Sequence, residues 1–122
     1  EEVYDYRNIE VTIDEQDIFN VTMNESLAVA LLTNLLKNAF VHNIDGGHIR
    51  ITVTKNSITF RNSGVENPLD KEHIFERFYQ GTKKEGSTGL GLAIADSICR
   101  LQHLSIRYYF EQKEHCFEIS RQ

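Results

Sequence analysis

The chain has 122 residues, 40% of them hydrophobic and 25% charged, values ordinary for a soluble globular protein and a length that suits one compact α/β domain. Its formal net charge is −5 and its basic residues never cluster beyond the pair Lys83-Lys84, which excludes a nucleic-acid partner, since such sites concentrate positive charge against phosphates. Cys99 and Cys116 stand seventeen positions apart outside any CxxC or His-spaced pattern and read as two free, buried thiols in a reducing compartment. No signal peptide opens the chain, and no apolar run approaches the roughly 18 residues that a membrane span needs.

Residues 1–8 are polar and aromatic without clear period and read as a linker remnant. Ile9, Val11 and Ile13 alternate with polar residues, as do Phe19, Val21 and Met23, so two short strands are expected around a turn at Asp14–Asp17. Thr22 and Glu25 then stand in capping-box spacing. Ala28, Leu31, Leu32, Leu35, Leu36, Ala39 and Phe40 follow at i, i+3, i+4 spacing, one apolar face of a helix that ends near Asn43. Asp45-Gly46-Gly47 makes a turn, and Ile49–Val53 with Ile58–Phe60 alternate as a hairpin with one buried face.

Residues 63–88 hold most of the irregularity, with only Lys71 to Tyr79 helical in pattern. Loops of that length inside compact domains are usually functional, often lids. A second helix is expected from Gly89 to about Leu101, followed by strands at Leu104–Phe110 and His115–Ser120. The fold class is therefore an α+β two-layer sandwich, with a mixed, mostly antiparallel sheet and the helices on one face.

Chemistry concentrates in three places. Asn34, Asn38 and His42 lie four apart and form a polar stripe on the first helix. Solvated helix edges usually carry Lys and Glu, whereas an Asn carbonyl oxygen suits a magnesium ion already ringed by phosphate and water. Gly86-Ser87-Thr88-Gly89-Leu90-Gly91-Leu92 opens the second helix, where glycines let a phosphate approach backbone N–H groups and the helix dipole favours its charge. This is not a Walker loop, because no Lys-Ser/Thr follows the glycines, nor a Rossmann fingerprint, because no strand runs into the first glycine. Ile74-Phe75-Glu76-Arg77-Phe78-Tyr79 places two phenylalanines on one side of the lid segment, which by itself asks for no more than anchoring to the core.

Taken together, these residues resemble the histidine-kinase catalytic domain of the GHKL ATP-binding superfamily, the Bergerat fold. Asn34–Ala39 is similar to its asparagine box, Ile74–Tyr79 to its phenylalanine box and Thr88–Leu92 to its last glycine box, in the same order along the chain. The resemblance implies ATP and magnesium as ligands. Asn38 would hold the metal, and Asn34, His42, Asn62, Gly64, Phe75, Thr88, Gly89, Leu90 and Gly91 would line the nucleotide site, with residues 65–88 as the ATP lid. It further implies a histidine-bearing dimerisation domain of the same protein and a response regulator as partners. The parent is then a homodimer anchored in the inner membrane, with this domain in the cytoplasm.

Four positions depart from the family pattern. Asn62 replaces the Asp that reads the adenine amino group, Glu66 replaces a second glycine, and Val41 and Gln80 replace basic residues. These bear on nucleotide affinity rather than fold, and they motivate an alternative, a degenerate ATP-binding or docking module without turnover. On sequence grounds, restoring Asp at position 62 is expected to strengthen the adenine bond modestly. ATP-hydrolysing members of the superfamily carry a Glu where this chain has Asn34, which cannot accept a proton, so rapid hydrolysis is not expected. None of His42, His48, His73, His103 and His115 stands in a phosphoacceptor context, so no catalytic residue is expected here beyond the nucleotide site.

Overall fold

The computed structural model describes residues 8–70, 72–76 and 90–122. In chain order the elements are strand β1 (Glu10–Glu15), helix α1 (Glu25–Val41), strands β2 (His48–Val53) and β3 (Ser57–Asn62), helix α2 (Gly91–Leu101), and strands β4 (Leu104–Glu111) and β5 (Glu114–Arg121). They form one five-stranded sheet in the order β1-β2-β3-β5-β4. The connection through α1 makes β1 and β2 parallel, while the remaining pairs are antiparallel. This is the mixed two-layer architecture expected from the sequence.

Alternation along the strands decides which side meets the helices. Phe60, Leu104, Tyr108, Phe117 and Ile119 turn inward and pack with Leu31 and Leu35 of α1 and Ala95, Ile98 and Cys99 of α2. A smaller cluster of Ala39, Phe40 and Ile49 closes the β2 side. Both cysteines are free and buried, as expected, and burial, helped by nearby Asp96, pushes the Cys99 thiol up to about 11. Leu32, assigned to the apolar face of the helix, is 40% exposed, so the buried stripe of α1 is narrower than the periodicity implied.

Three further expectations are corrected. Phe19 to Met23 is not a strand: Phe19 and Met23 do pack on the core and Val21 is exposed, but the segment has no strand pairing. Alternation reports which side chains face apolar surroundings, and here the chain is held by Arg121, which bonds the Asn20 carbonyl and covers the Phe19 ring. The cap of α1 is Asn24, whose Oδ1 accepts the Leu27 N–H at 3.1 Å, and not Thr22. Within the expected lid helix, residues 72–76 form turns closed by bonds from His73 N to Asp70 O and from Glu76 N to His73 O, while Lys71 and residues 77–79 lie outside the described residues.

The cap assignment has a direct consequence. Asn24→Ala should lower stability by about 1 kcal/mol, since an amide N–H loses its partner, whereas Thr22→Ala should change it by less than about 0.5 kcal/mol. Urea unfolding of the two variants beside the parent checks the ranking; equal midpoints for both would contradict it.

Candidate functional site

The polar stripe of α1 runs between two glycines. At one end, Asn34 donates its Nδ2 to the Ala30 carbonyl, and its Oδ1 lies 3.1 Å from where a Cβ on Gly91 would stand. Gly91 is the first residue of α2, so a larger side chain there would crowd the Asn34 amide. At the other end, a Cβ on Gly64 would come within 2.8 Å of the His42 carbonyl oxygen, which follows the last residue of α1. Asn34, Asn38 and His42 are each half-buried. The structure therefore brings Asn34, Gly91, His42 and Gly64 into direct neighbourhood along one helix, with Asn38 between them.

Asn62 ends β3 at the same place. Its side chain is 2% exposed and donates Nδ2 to the Ser63 carbonyl at 2.7 Å. A carbonyl can only accept, so this bond fixes the orientation of the amide, and the Oδ1 that remains is a buried acceptor without a hydrogen-bond partner. Native interiors rarely leave such an atom unmatched. It fits a ligand that brings a donor, such as an exocyclic amino group.

Sequence reasoning missed the side chains that hold this corner together. Asn43 is wholly buried: its Nδ2 donates to the Ala39 and His48 carbonyls, and its Oδ1 accepts from the Ile44 N–H and the Ser63 hydroxyl. Ser63 Oγ in turn accepts the His48 N–H. Gly47 fits because a Cβ there would fall 2.2 Å from Asn43 Oδ1 and 2.3 Å from Ser63 Oγ. A polar residue immediately after the helix was the available signal, but its partners come from β2 and β3.

Phe75 packs edge-on against Phe117, ring centroids 6.2 Å apart, beside the buried Ile74, so it anchors the segment to the core. Leu90 is the N-cap position of α2, where its side chain offers no acceptor and the first turn carries no acidic residue. Thr88, Gly89, Gln80 and the Lys83-Lys84 pair lie outside the described residues. A cleft of about 520 Å³ between α2 and the edge strand β4, lined by Asp96, Arg100, Ile106 and Tyr109 among others, shares only Phe75 with the expected site residues.

This mixed sheet, with two helices packed on one face and glycines at the end of β3 and the start of α2, is a domain of the Bergerat type, and the comparisons with known proteins agree. Residues 23–120 match the family described as histidine kinase-, DNA gyrase B-, and HSP90-like ATPase, and the chain belongs to that family. It is 43% identical over 84 residues, 62% of its length, to the sensor histidine kinase RppB of Synechocystis sp.. It is 36% identical over 109 residues, 85% of its length, to the heme sensor protein HssS of Staphylococcus aureus. The chain spans 18% of the first relative and 24% of the second. Among solved structures it resembles the catalytic domain of histidine kinase ThkA, with a TM-score of 0.81 at 25% identity, covering 97% of this chain and 81% of that one. The mycobacterial sensor histidine kinase MprB shares the fold at a TM-score of 0.78 and 19% identity, covering 98% of this chain and 90% of that one.

The approach of α1 to the end of β3 is open to test. Gly64→Ala should cost about 1–3 kcal/mol of stability, because the added methyl meets a backbone carbonyl that cannot rotate away. A urea midpoint unchanged from the parent would show that the loop and the helix are not so closely placed.

Proposed function

We propose that this domain binds magnesium-ATP along the α1 stripe and presents its γ-phosphate to a histidine on a separate dimerisation domain of the same protein, in a two-component sensor kinase. The observation that supports it best is the buried, unpartnered Oδ1 of Asn62, which matches the adenine amino group as a donor. In this reading the adenine lies at Asn62 and Gly64, and the phosphates run along the stripe toward Leu90 and Gly91 at the start of α2. Thr88 and Gly89, which lie outside the described residues, join the phosphate site in this proposal, residues 65–88 serve as the ATP lid with Phe75 anchored to the core, and His42 faces the nucleotide.

Asn38 is the metal ligand in this proposal, and magnesium when bound neutralises charge between the phosphates. The protein's part is positioning: the asparagine stripe orients the phosphates, and the start of α2 meets their negative charge. The partners that complete the function are the dimerisation domain and a response regulator, in a parent homodimer anchored in the inner membrane with this domain on the cytoplasmic side. Among the described residues no helix is long and apolar enough to cross a membrane.

The Asn62 geometry also revises what an aspartate would do. The amide uses its N–H on the Ser63 carbonyl at 2.7 Å, and a carboxylate cannot donate. Asn62→Asp therefore exchanges that bond for a repulsion between oxygens, and it buries a charge at a 2% exposed position. The charged acceptor's advantage of about 1 kcal/mol over a neutral one is offset.

Calorimetry with magnesium-ATP should show binding by the parent chain. Asn62→Ala should bind several-fold more weakly, and Asn62→Asp no more tightly than the parent. Asn38→Ala should lose magnesium-dependent affinity and phosphoryl transfer to the dimerisation domain while keeping the parent's unfolding midpoint. No binding at millimolar nucleotide would favour the docking module instead, and parent-like affinity in Asn62→Ala would remove the residue from the adenine site.

A further inference from the structure

Behind Asn62 lies a polar chain that the site described above does not use. His115 of β5 is the cross-strand partner of Asn62, is 3% exposed, and packs its ring on Gly64, where a Cβ would meet its Cδ2 at 3.2 Å. Its Nε2 lies 2.6 Å from the Val65 carbonyl, and its Nδ1 lies 2.7 Å from the hydroxyl of Tyr108 on β4. That same hydroxyl accepts the Leu69 N–H at 2.9 Å.

The roles follow from the two backbone groups at the ends. A carbonyl only accepts, so Nε2 carries the proton and Nδ1 of the neutral ring is an acceptor. Tyr108 therefore donates to Nδ1 and accepts from Leu69. Donors and acceptors agree at every step, and the Tyr108 and His115 side chains between them are buried. Two core side chains thus bind both ends of the segment 65–69, which leaves Asn62-Ser63-Gly64 and leads into residues 70–76.

We propose that Tyr108 and His115 form a clasp that holds the segment 65–69 on the sheet and so positions Asn62 and Gly64 for the nucleotide. Both are positioning residues, and the proposal rests on the nucleotide reading given above. It also makes the site responsive to proton concentration. A second proton on His115 turns Nδ1 into a donor facing the Tyr108 hydroxyl proton, so that hydrogen bond cannot persist as it stands. Among the described residues, the groups facing the ring are Tyr108 and Phe110 from β4, Asn62 from β3, and Gly64 with Val65 from the loop. None of these carries charge near neutrality to hold an imidazolium. Burial accordingly keeps the His115 pKa below its ordinary 6.5, the Val65 carbonyl pulling weakly the other way. The clasp is whole above pH 6.5 and weakens as pH falls from there through the lowered value of the closed form.

Amide hydrogen exchange on this chain without nucleotide, resolved at Leu69 and expressed as a protection factor, tests the clasp separately from ATP. Tyr108→Phe keeps the ring and removes the hydroxyl; it should cut Leu69 protection at least tenfold and weaken magnesium-ATP binding several-fold. Parent protection should fall below pH 6.5. His115→Gln, which keeps a donor for Val65 but gains no charge, should show a flat profile. A purely structural role would lower the unfolding midpoint of Tyr108→Phe and leave its ATP affinity at the parent value, and that result overturns the proposal. So does a parent profile as flat as that of His115→Gln. Should the parent itself bind no nucleotide, the positioning role falls with the nucleotide reading, and Leu69 protection that still depends on Tyr108 would identify that as the cause.

Discussion

The amide of Asn43 is the point on which this corner of the domain depends. Among the described residues its side chain makes four hydrogen bonds that join the end of α1, the start of β2 and the residue after β3, and none can be exchanged for water because the side chain is wholly buried. Losing one partner in such a place costs about 1–3 kcal/mol, more than a typical bond contributes, so the network holds as a unit or not at all. The packing limits around it follow: Gly47 lies where any side chain would displace that amide, and Ser63 stands where its hydroxyl serves both Asn43 and His48. Asn62 and Gly64, on either side of Ser63, inherit their places from this knot.

The far face of the sheet constrains the same strand end. Glu114 on β5 accepts from His48 at 2.6 Å and Arg50 at 2.8 Å, both on β2, so the contact spans β3, which lies between them. Burial raises the carboxyl pKa, but the hydrogen bonds from His48 and Arg50 outweigh it and hold the pKa below the ordinary value. The His48 and Arg50 side chains are each more than 40% exposed, so these contacts contribute modestly to stability and chiefly fix the spacing of β2 and β5. On the helix-facing side, Asn62 sits in register between Ile49 and His115. The end of β3 is thus held from both faces, which gives the unpartnered Oδ1 a definite direction without help from a ligand.

What could be read from the sequence was what depends on near neighbours. Asn34, Asn38 and His42 recur every four residues, so a helix must place them on one side, and two-residue alternation located both hairpins and the outward polar rows. The failures share a cause. Phe19, Val21 and Met23 alternate as a strand does, yet a strand also needs a paired edge, and here Phe19 and Met23 rest on the core while Arg121 holds Phe19 and Asn20 from about a hundred positions away. Thr22 and Glu25 satisfy a spacing rule, but Asn24 is a stronger cap and stands next to the helix. The hydrogen-bonding roles of Asn43, Tyr108 and His115 gave no sequence signal, because a buried polar side chain is defined by partners the fold brings to it, here 20, 39 and 50 positions distant.

Asn34 shows how a single atom type separates neighbouring chemistries on one fold. In hydrolysing relatives of the superfamily, the sequence resemblance implies a carboxylate here that takes a proton from water. An amide has no such basicity, and this one already commits its N–H to the Ala30 carbonyl at 2.8 Å. Its remaining oxygen points to the start of α2, close enough to Gly91 that the helices meet through it. Such a residue can orient a phosphate or its metal, and it cannot activate a nucleophile. In the proposed function a domain built this way holds the nucleotide without activating water, and the nucleophile must arrive on another domain. Under that proposal an amide at position 34 makes transfer conditional on docking, which is the property a signalling kinase requires.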